Sequence, residues 1–161
     1  RSAQLAQEGI EEIRRTVSGV ADPALAGGDL GSPLLQMAQR LVAGTGVRIE
    51  VSATGRPSRL QERARAELFH IAQEAVTNAL RHGGARNIAI TIAYERRGVR
   101  LSIADDGSGF DAVAPALRPR AGLGISGIWH RVTARQGALS IKSRSGGGTT
   151  LEVLIPLKGV R

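Results

Sequence analysis

The apolar residues of this chain change their period abruptly at Gly83-Gly84. Before that point Leu68, Ile71, Ala72, Ala75, Val76, Ala79 and Leu80 recur at steps of three and four, which puts them on one stripe of a long helix over residues 60–82. After it, residues 87–94 and 99–104 are alternating or β-branched runs joined by the polar turn Glu95-Arg96-Arg97-Gly98, the pattern of a β-hairpin. A helix with one apolar stripe and a hairpin with one apolar face each need a cover. They can cover each other, so this stretch points to a layered α/β domain.

The flanks extend that pattern. Ser32-Pro33 supplies an N-cap and a first-turn proline for a helix to about Ala43, with Leu34, Leu35, Ala38, Leu41 and Val42 on its apolar side and Gly44 and Gly46 to end it. Val47, Ile49 and Val51 then alternate with polar residues as a half-buried strand does. Beyond a polar, proline-bearing segment over 111–121, a Gly-rich turn opens a helix through about Gln136, and residues 138–144 and 149–156 form a closing hairpin around Ser145-Gly146-Gly147-Gly148. The residue pattern favours antiparallel strand pairs. At the other end, Ala3, Ala6, Ile10, Ile13, Val17 and Val20 follow heptad-like steps, either a helix in search of a partner helix or an amphipathic helix packed on its own domain. Asp22-Pro23 and Gly27-Gly28-Asp29-Leu30-Gly31 break it, which sets a boundary near residues 21–31.

Bulk composition narrows the function classes. Aromatics are only 2% of the 161 residues, so Leu, Ile, Val and Ala must fill the core. The absence of cysteine removes disulfides, thiolate metal sites and cysteine nucleophiles together. A formal charge of +8 raises the question of a polyanionic partner. The arginines are scattered and stacking aromatics nearly absent, so direct nucleic-acid binding is disfavoured. No apolar run approaches the roughly 20 residues that span a bilayer. A cytoplasmic piece without membrane contact is the expectation.

Four short stretches carry chemistry. Glu74 and Asn78 lie four apart on one helix face, with Arg81 and His82 a turn further on. An amide oxygen beside a carboxylate suits Mg²⁺, although a solvated helix face reads the same way. Asp105-Asp106-Gly107-Ser108-Gly109-Phe110 directly follows a strand, where glycines let backbone approach a planar ligand and an ionised Asp105 accepts a hydrogen bond from an exocyclic amine. Gly122-Leu123-Gly124-Ile125-Ser126-Gly127 opens a helix whose unpaired amides can receive phosphate oxygens. It follows an irregular segment late in the chain and not the first strand of a βαβ unit, which disfavours a dinucleotide-binding reading. Gly146-Gly147-Gly148-Thr149-Thr150 is a hairpin loop whose hydroxyls and amides can also meet a phosphate.

In this order, QEAVTNALRH at 73–82, DDGSGF at 105–110, GLGISG at 122–127 and GGGTT at 146–150 resemble the N, G1, G2 and G3 boxes of sensor histidine kinases. These belong to the wider ATPase group of gyrase, Hsp90 and MutL, and the version here looks most like the nitrate-sensor type. The resemblance implies an α+β fold: a two-layer sandwich with a mixed sheet, helices on one face and the left-handed ATP-binding topology. It implies ATP and Mg²⁺ as ligands. Asn78 would coordinate Mg²⁺, Glu74 would be a metal-shell or polarising residue, Asp105 would read the adenine amine, and Gly107 and Gly109 would shape the base pocket. Gly122, Leu123, Gly124 and Ile125 would hold the phosphates, Arg81 and His82 would approach them, and Thr149 would close the base side. Residues 111–121 would form the ATP lid, with Arg118 and Arg120 reaching the γ-phosphate.

The same resemblance divides the chain into a remnant of the second dimerisation helix (1–21), a linker (22–31), the ATP-binding catalytic domain (32–157) and a tail (158–161). His70, His82 and His130 all fall inside the catalytic domain and none has the setting of a phosphoacceptor, so this piece is not expected to phosphorylate itself. Its implied partners are the dimerisation and phosphotransfer domain of its own kinase, in a homodimeric parent, and a response regulator with a helix-turn-helix output. Trp129-His130 departs from the charged residues usual after the G2 glycines, and Trp129 is expected to pack in a core or interface. Two alternatives stand beside this reading: a stand-alone serine kinase of the anti-sigma-factor type, and a degenerate nucleotide-binding module that only transmits conformational change.

Overall fold

The computed structural model describes residues 29–57, 60–110 and 125–157. The expected dimerisation helix, the lid with Arg118 and Arg120, the glycines Gly122 and Gly124 with Leu123, and the tail lie outside the described residues. In chain order the elements are α1 (Gly31–Val42), β1 (Arg48–Thr54), α2 (Glu62–Arg81), β2 (Asn87–Tyr94), β3 (Gly98–Asp105), α3 (Ile125–Ala134), β4 (Ala138–Ser143) and β5 (Thr149–Pro156). Among the described residues no helix is long and apolar enough to cross a membrane.

The five strands form one sheet in the order β1-β2-β3-β5-β4. β2–β3 and β4–β5 are antiparallel, as the hairpin patterns predict, and so is β3–β5, which joins the two hairpins. β1 and β2 pair in parallel, against the antiparallel expectation from the residue pattern alone. The physical reason is the connection: α2 carries the chain back along the sheet before β2 begins, and a return of that length is what a parallel pair requires. The result is the mixed sheet that the family resemblance implied.

Register explains why the sheet has one covered face. Val51, Ile90, Ile103, Leu151 and Ile141 stand in one row across all five strands, and Ala53, Ile92, Leu101, Val153 and Leu139 in the next. Over these rows lies α2, whose Leu68, Ile71, Ala72, Val76 and Ala79 are buried at the spacing read from the sequence. α1 packs beside it on β1, and α3 packs on β4 and β5. Each fully buried Leu, Ile or Val side chain contributes about 1.5–3 kcal/mol relative to exposure, so this single aliphatic layer dominates the stability. The other face is polar. There Arg100 bridges Glu95 at 2.8 Å and Glu152 at 2.6 Å, and the Ser52 hydroxyl meets Thr91 at 3.4 Å.

The start of α1 differs from the sequence reading. Ser32 lies within the first turn and is not the N-cap; the carboxylate of Asp29 instead accepts the Gly31 N–H at 2.9 Å and the Ser32 hydroxyl at 3.4 Å. Pro33 still sits in the first turn, where its missing N–H costs nothing. Leu34, Met37 and Ala38 face the core, whereas Leu35, one step of about 100° round the helix, is 38% exposed. Leu30, assigned to a linker from sequence, is fully buried and donates its N–H to the Tyr94 hydroxyl at 2.9 Å. Trp129 is 44% exposed on α3 and so does not join this domain's core.

Candidate functional site

The long helix α2 ends because Gly83-Gly84 cannot propagate it: the N–H groups of His82 and Gly83 both close back onto the Asn78 carbonyl. The carbonyl of Gly83 is then free to accept the Ser108 N–H at 2.7 Å, tying the loop after β3 to the helix end. From the other side the β4–β5 hairpin grips the same loop, with the Gly146 N–H donating to the Ser108 carbonyl at 2.6 Å and the Phe110 N–H donating to the Ser143 hydroxyl at 2.9 Å. Gly109 has φ of +60°, and a Cβ there would strike the Arg144 carbonyl oxygen and come within 2.7 Å of that of Gly148. Backbone from three segments therefore converges where side chains would not fit.

Inside this collar is a cavity of about 260 Å³. One wall comes from α2 through Ala75, Asn78, Ala79 and His82. The sheet contributes Ile103, Ile141 and Leu151, and the rim is Asp105, Gly109, Phe110 and Thr149. Ile125, at the first turn of α3, completes it. α3 is held there by buried Ile128 and Val132 and by the ion pair of Arg131 with Glu67 on α2 at 2.8 Å. An apolar lining with a few convergent polar groups is the composition of a small-molecule site, and one flanked by a carboxylate selects a ligand that donates a hydrogen bond.

The two adjacent carboxylates at the end of β3 have opposite roles. Asp105 faces the cavity, and burial pushes its pKa up, although the backbone N–H groups of Gly107 and Thr149 bond to it and limit the rise. Asp106 points away. Its carboxylate accepts the Asn87 side chain at 2.7 Å and the backbone N–H groups of Arg86 and Asn87 at 2.8 Å each, which holds its pKa down to about 2. Asp106 thus braces the loop, and Asp105 is left for a ligand.

Residues 63–159 match the family described as histidine kinase-, DNA gyrase B- and HSP90-like ATPases. The chain belongs to this ATPase family. It is 30% identical over 156 residues to the sensor histidine kinase MctS of Rhizobium johnstonii, an alignment that covers 97% of this chain and 34% of that protein. It is 34% identical over 99 residues to the histidine-protein kinase/phosphatase DegS of Bacillus subtilis, covering 62% of this chain and 26% of DegS. In structure it resembles the Acinetobacter baumannii histidine kinase AdeS with a TM-score of 0.65 at 17% identity, over 81% of this chain and 64% of that one. The chain spans about a third of the length of the curated relatives it matches.

The family's ATPase fold places the residues singled out from sequence as follows. Asn78, His82, Asp105, Gly109, Ile125 and Thr149 all line the cavity. Gly107 lies just behind it, bonded to Asp105. Glu74 is half-buried on α2 one turn before Asn78, and Arg81 is exposed at the helix end; neither is part of the lining. Sequence reasoning gave no role to Asp106, Phe110 or Ser143, nor to the floor residues Ile103, Ile141 and Leu151. The floor was legible as the inward positions of three strands. Ser143 was not, because only the β4–β5 register puts it opposite Thr149.

Among the described residues no group of three or more His, Asp or Glu side chains converges. A divalent ion beside Asn78 would therefore take most of its ligands from phosphate and water, which is how Mg²⁺ is commonly held at nucleotide sites. The half-buried Asn78 amide at the cavity wall fits that donor set.

Proposed function

We propose that this chain is the ATP-binding catalytic domain of a two-component sensor histidine kinase of the nitrate-sensor type. The observation that carries the proposal is the partly desolvated Asp105 carboxylate at the rim of an apolar cavity whose other wall presents Asn78 and His82. Asp105 accepts a hydrogen bond from the adenine amine, and Ile103, Ile141 and Leu151 receive the ring. Asn78 offers its amide oxygen, with Glu74 one turn behind it to polarise the water shell. His82 and Arg81 meet the phosphates from the helix end. The first turn of α3, with Ile125 and the preceding Gly122-Leu123-Gly124, supplies backbone donors to phosphate oxygens, as helix N-termini do. Mg²⁺, when bound, offsets phosphate charge.

In the whole kinase the γ-phosphoryl group passes in line to a histidine of the dimerisation domain. The bond from the γ-phosphorus to the bridging oxygen breaks, a phosphorus–nitrogen bond forms, ADP leaves with the electron pair, and the imidazole gives up its proton. Catalysis of this kind consists mainly of positioning and charge stabilisation. A response regulator with a helix-turn-helix output then receives the group. Residues 1–21 are assigned to the second dimerisation helix and the residues that follow, up to the buried Leu30, to the linker, with the parent a homodimer. The names of the relatives above favour this reading over the serine-kinase and degenerate-module alternatives.

Calorimetric titration of Mg·ATP tests it. The wild-type chain is expected to bind, Asp105→Asn to lose binding, and Asn78→Ala to bind without dependence on magnesium. Absence of adenine-nucleotide binding by the wild-type chain overturns the proposal.

A further inference from the structure

Ser143, the last residue of β4, belongs to none of the four motifs, yet two residues of the cavity rim and a carbonyl of the neighbouring loop meet at its hydroxyl. The Phe110 N–H donates to it at 2.9 Å, the Gly148 carbonyl lies 3.1 Å away, and the Thr149 hydroxyl lies 2.8 Å away. Phe110 and Thr149 both line the cavity. Ser143 itself is half-buried and does not.

A serine hydroxyl has one proton and two lone pairs. The Phe110 N–H uses one lone pair, so the remaining arrangement has two states. When the Ser143 proton goes to the Gly148 carbonyl, Thr149 donates to Ser143 and turns its lone pairs toward the cavity. When the Ser143 proton goes to Thr149, the Thr149 proton is released toward the cavity. The hydroxyl pair therefore presents either an acceptor or a donor to a ligand without moving a heavy atom. Asp105 has no such freedom, because an ionised carboxylate only accepts.

We infer that Ser143 is a positioning residue for nucleobase binding: it fixes Phe110 and the Thr149 hydroxyl at the cavity while leaving Thr149 able to serve as donor or acceptor. Discrimination between a 6-amino and a 6-oxo purine then rests on Asp105, and the Ser143–Thr149 pair adds affinity for both. The inference rests on the nucleotide reading above.

The test compares ATP and ITP, whose bases differ at the 6-position, by calorimetry on the full chain with Mg²⁺. Ser143→Ala and Thr149→Val are each expected to weaken both nucleotides about tenfold, since each leaves a hydrogen-bonding group at the rim without its partner. Both variants keep the wild-type ATP-to-ITP ratio, because Asp105, which sets it, is unaltered in each. The double variant is expected to lose little more than either single one, because the two side chains act as one unit. Ser143→Thr, which keeps the hydroxyl and suits a strand, restores affinity to within about twofold. Wild-type affinity in Ser143→Ala, or an ATP-to-ITP ratio changed by Ser143→Ala or Thr149→Val, overturns the inference and leaves the nucleotide reading intact. A wild-type chain that binds neither nucleotide overturns both. Should Ser143→Ala not fold, the ratio in Thr149→Val and the affinity of Ser143→Thr still decide the matter.

Discussion

The two ends of the sheet are built by different means. At the end where β2 turns into β3, the core is closed by side chains: Tyr94, Val99 and Ile155 stand in one row and are buried, and the Tyr94 hydroxyl takes the N–H of the buried Leu30. At the opposite end the same three strands reach Ile88, Asp105 and Thr149, and closure is left to backbone hydrogen bonds among Gly83, Ser108 and Gly146 and to the Phe110 N–H donating to the Ser143 hydroxyl. Side chains fill the first end, whereas a collar of backbone leaves the second hollow. Stability is concentrated at the filled end and binding at the hollow one, and substitutions at the two ends should separate them.

The largest effect is expected from emptying the filled layer. Leu101 is fully buried between Ile92 and Val153, so Leu101→Ala should lower the unfolding free energy by about 4 kcal/mol. Urea denaturation measures this, and nucleotide affinity of the folded fraction should stay within about twofold. Next comes Gly109→Ala, which places a Cβ against two carbonyl oxygens at a left-handed φ. A loss of about 3 kcal/mol is expected, and here nucleotide binding should go with it. If Gly109→Ala bound ATP normally, the backbone collar would not be what shapes the cavity.

Tyr94→Phe tests the closed end more gently. It leaves the Leu30 N–H buried without its partner, at a cost of about 1–2 kcal/mol. Thermal unfolding should show the drop while calorimetry shows unchanged nucleotide affinity.

The smallest and most informative effects come from the adjacent carboxylates. Burial raises the pKa of Asp105, so its ionisation works against folding, and its contribution is lost as pH rises through the raised value. Asp105→Asn should make the nucleotide-free domain more stable than wild type at neutral pH, with the difference closing below 3.8, the ordinary value for this group. Asp106 has the opposite sign. Its pKa is lowered to about 2, so its stabilisation is present above the ordinary 3.8 and lost as pH falls toward 2. Asp106→Asn should be less stable than wild type at about pH 6, where a carboxylate is ionised, and the gap should close on acidification. Thermal midpoints across pH check both.

Legibility in the sequence followed the same division. Wherever side chains pack at regular spacing, periodicity exposed the element, as for the α2 stripe at Leu68, Ile71, Ala72, Val76 and Ala79 and for the inward residues of β2, β3 and β5. Periodicity carries no direction, so it could not give the parallel pairing of β1 with β2. Nor does it fix the first residue of a helix, so Ser32 was read as the N-cap where the structure has Leu30, with Asp29 before it holding the Gly31 N–H and the Ser32 hydroxyl. At the cavity, glycines and acidic residues clustered along the chain were visible as motifs. Asp106 was visible only as part of one, because its partners Arg86 and Asn87 come from 20 and 19 residues earlier. Ser143 depended on pairing across a hairpin, which local pattern does not encode.

The Leu30–Tyr94 bond also ties the segment just before α1 to the end of the sheet, a joint between the two. Tyr94 lies opposite Val99, while Asp105 lies opposite Ile88, so β3 separates the joint from the cavity by nearly its whole length. At roughly 3.4 Å per residue that separation is about 20 Å. The sheet thus holds the buried Leu30 contact and the Asp105 carboxylate at opposite ends of one strand, and a substitution at either end acts on the other only through the length of β3.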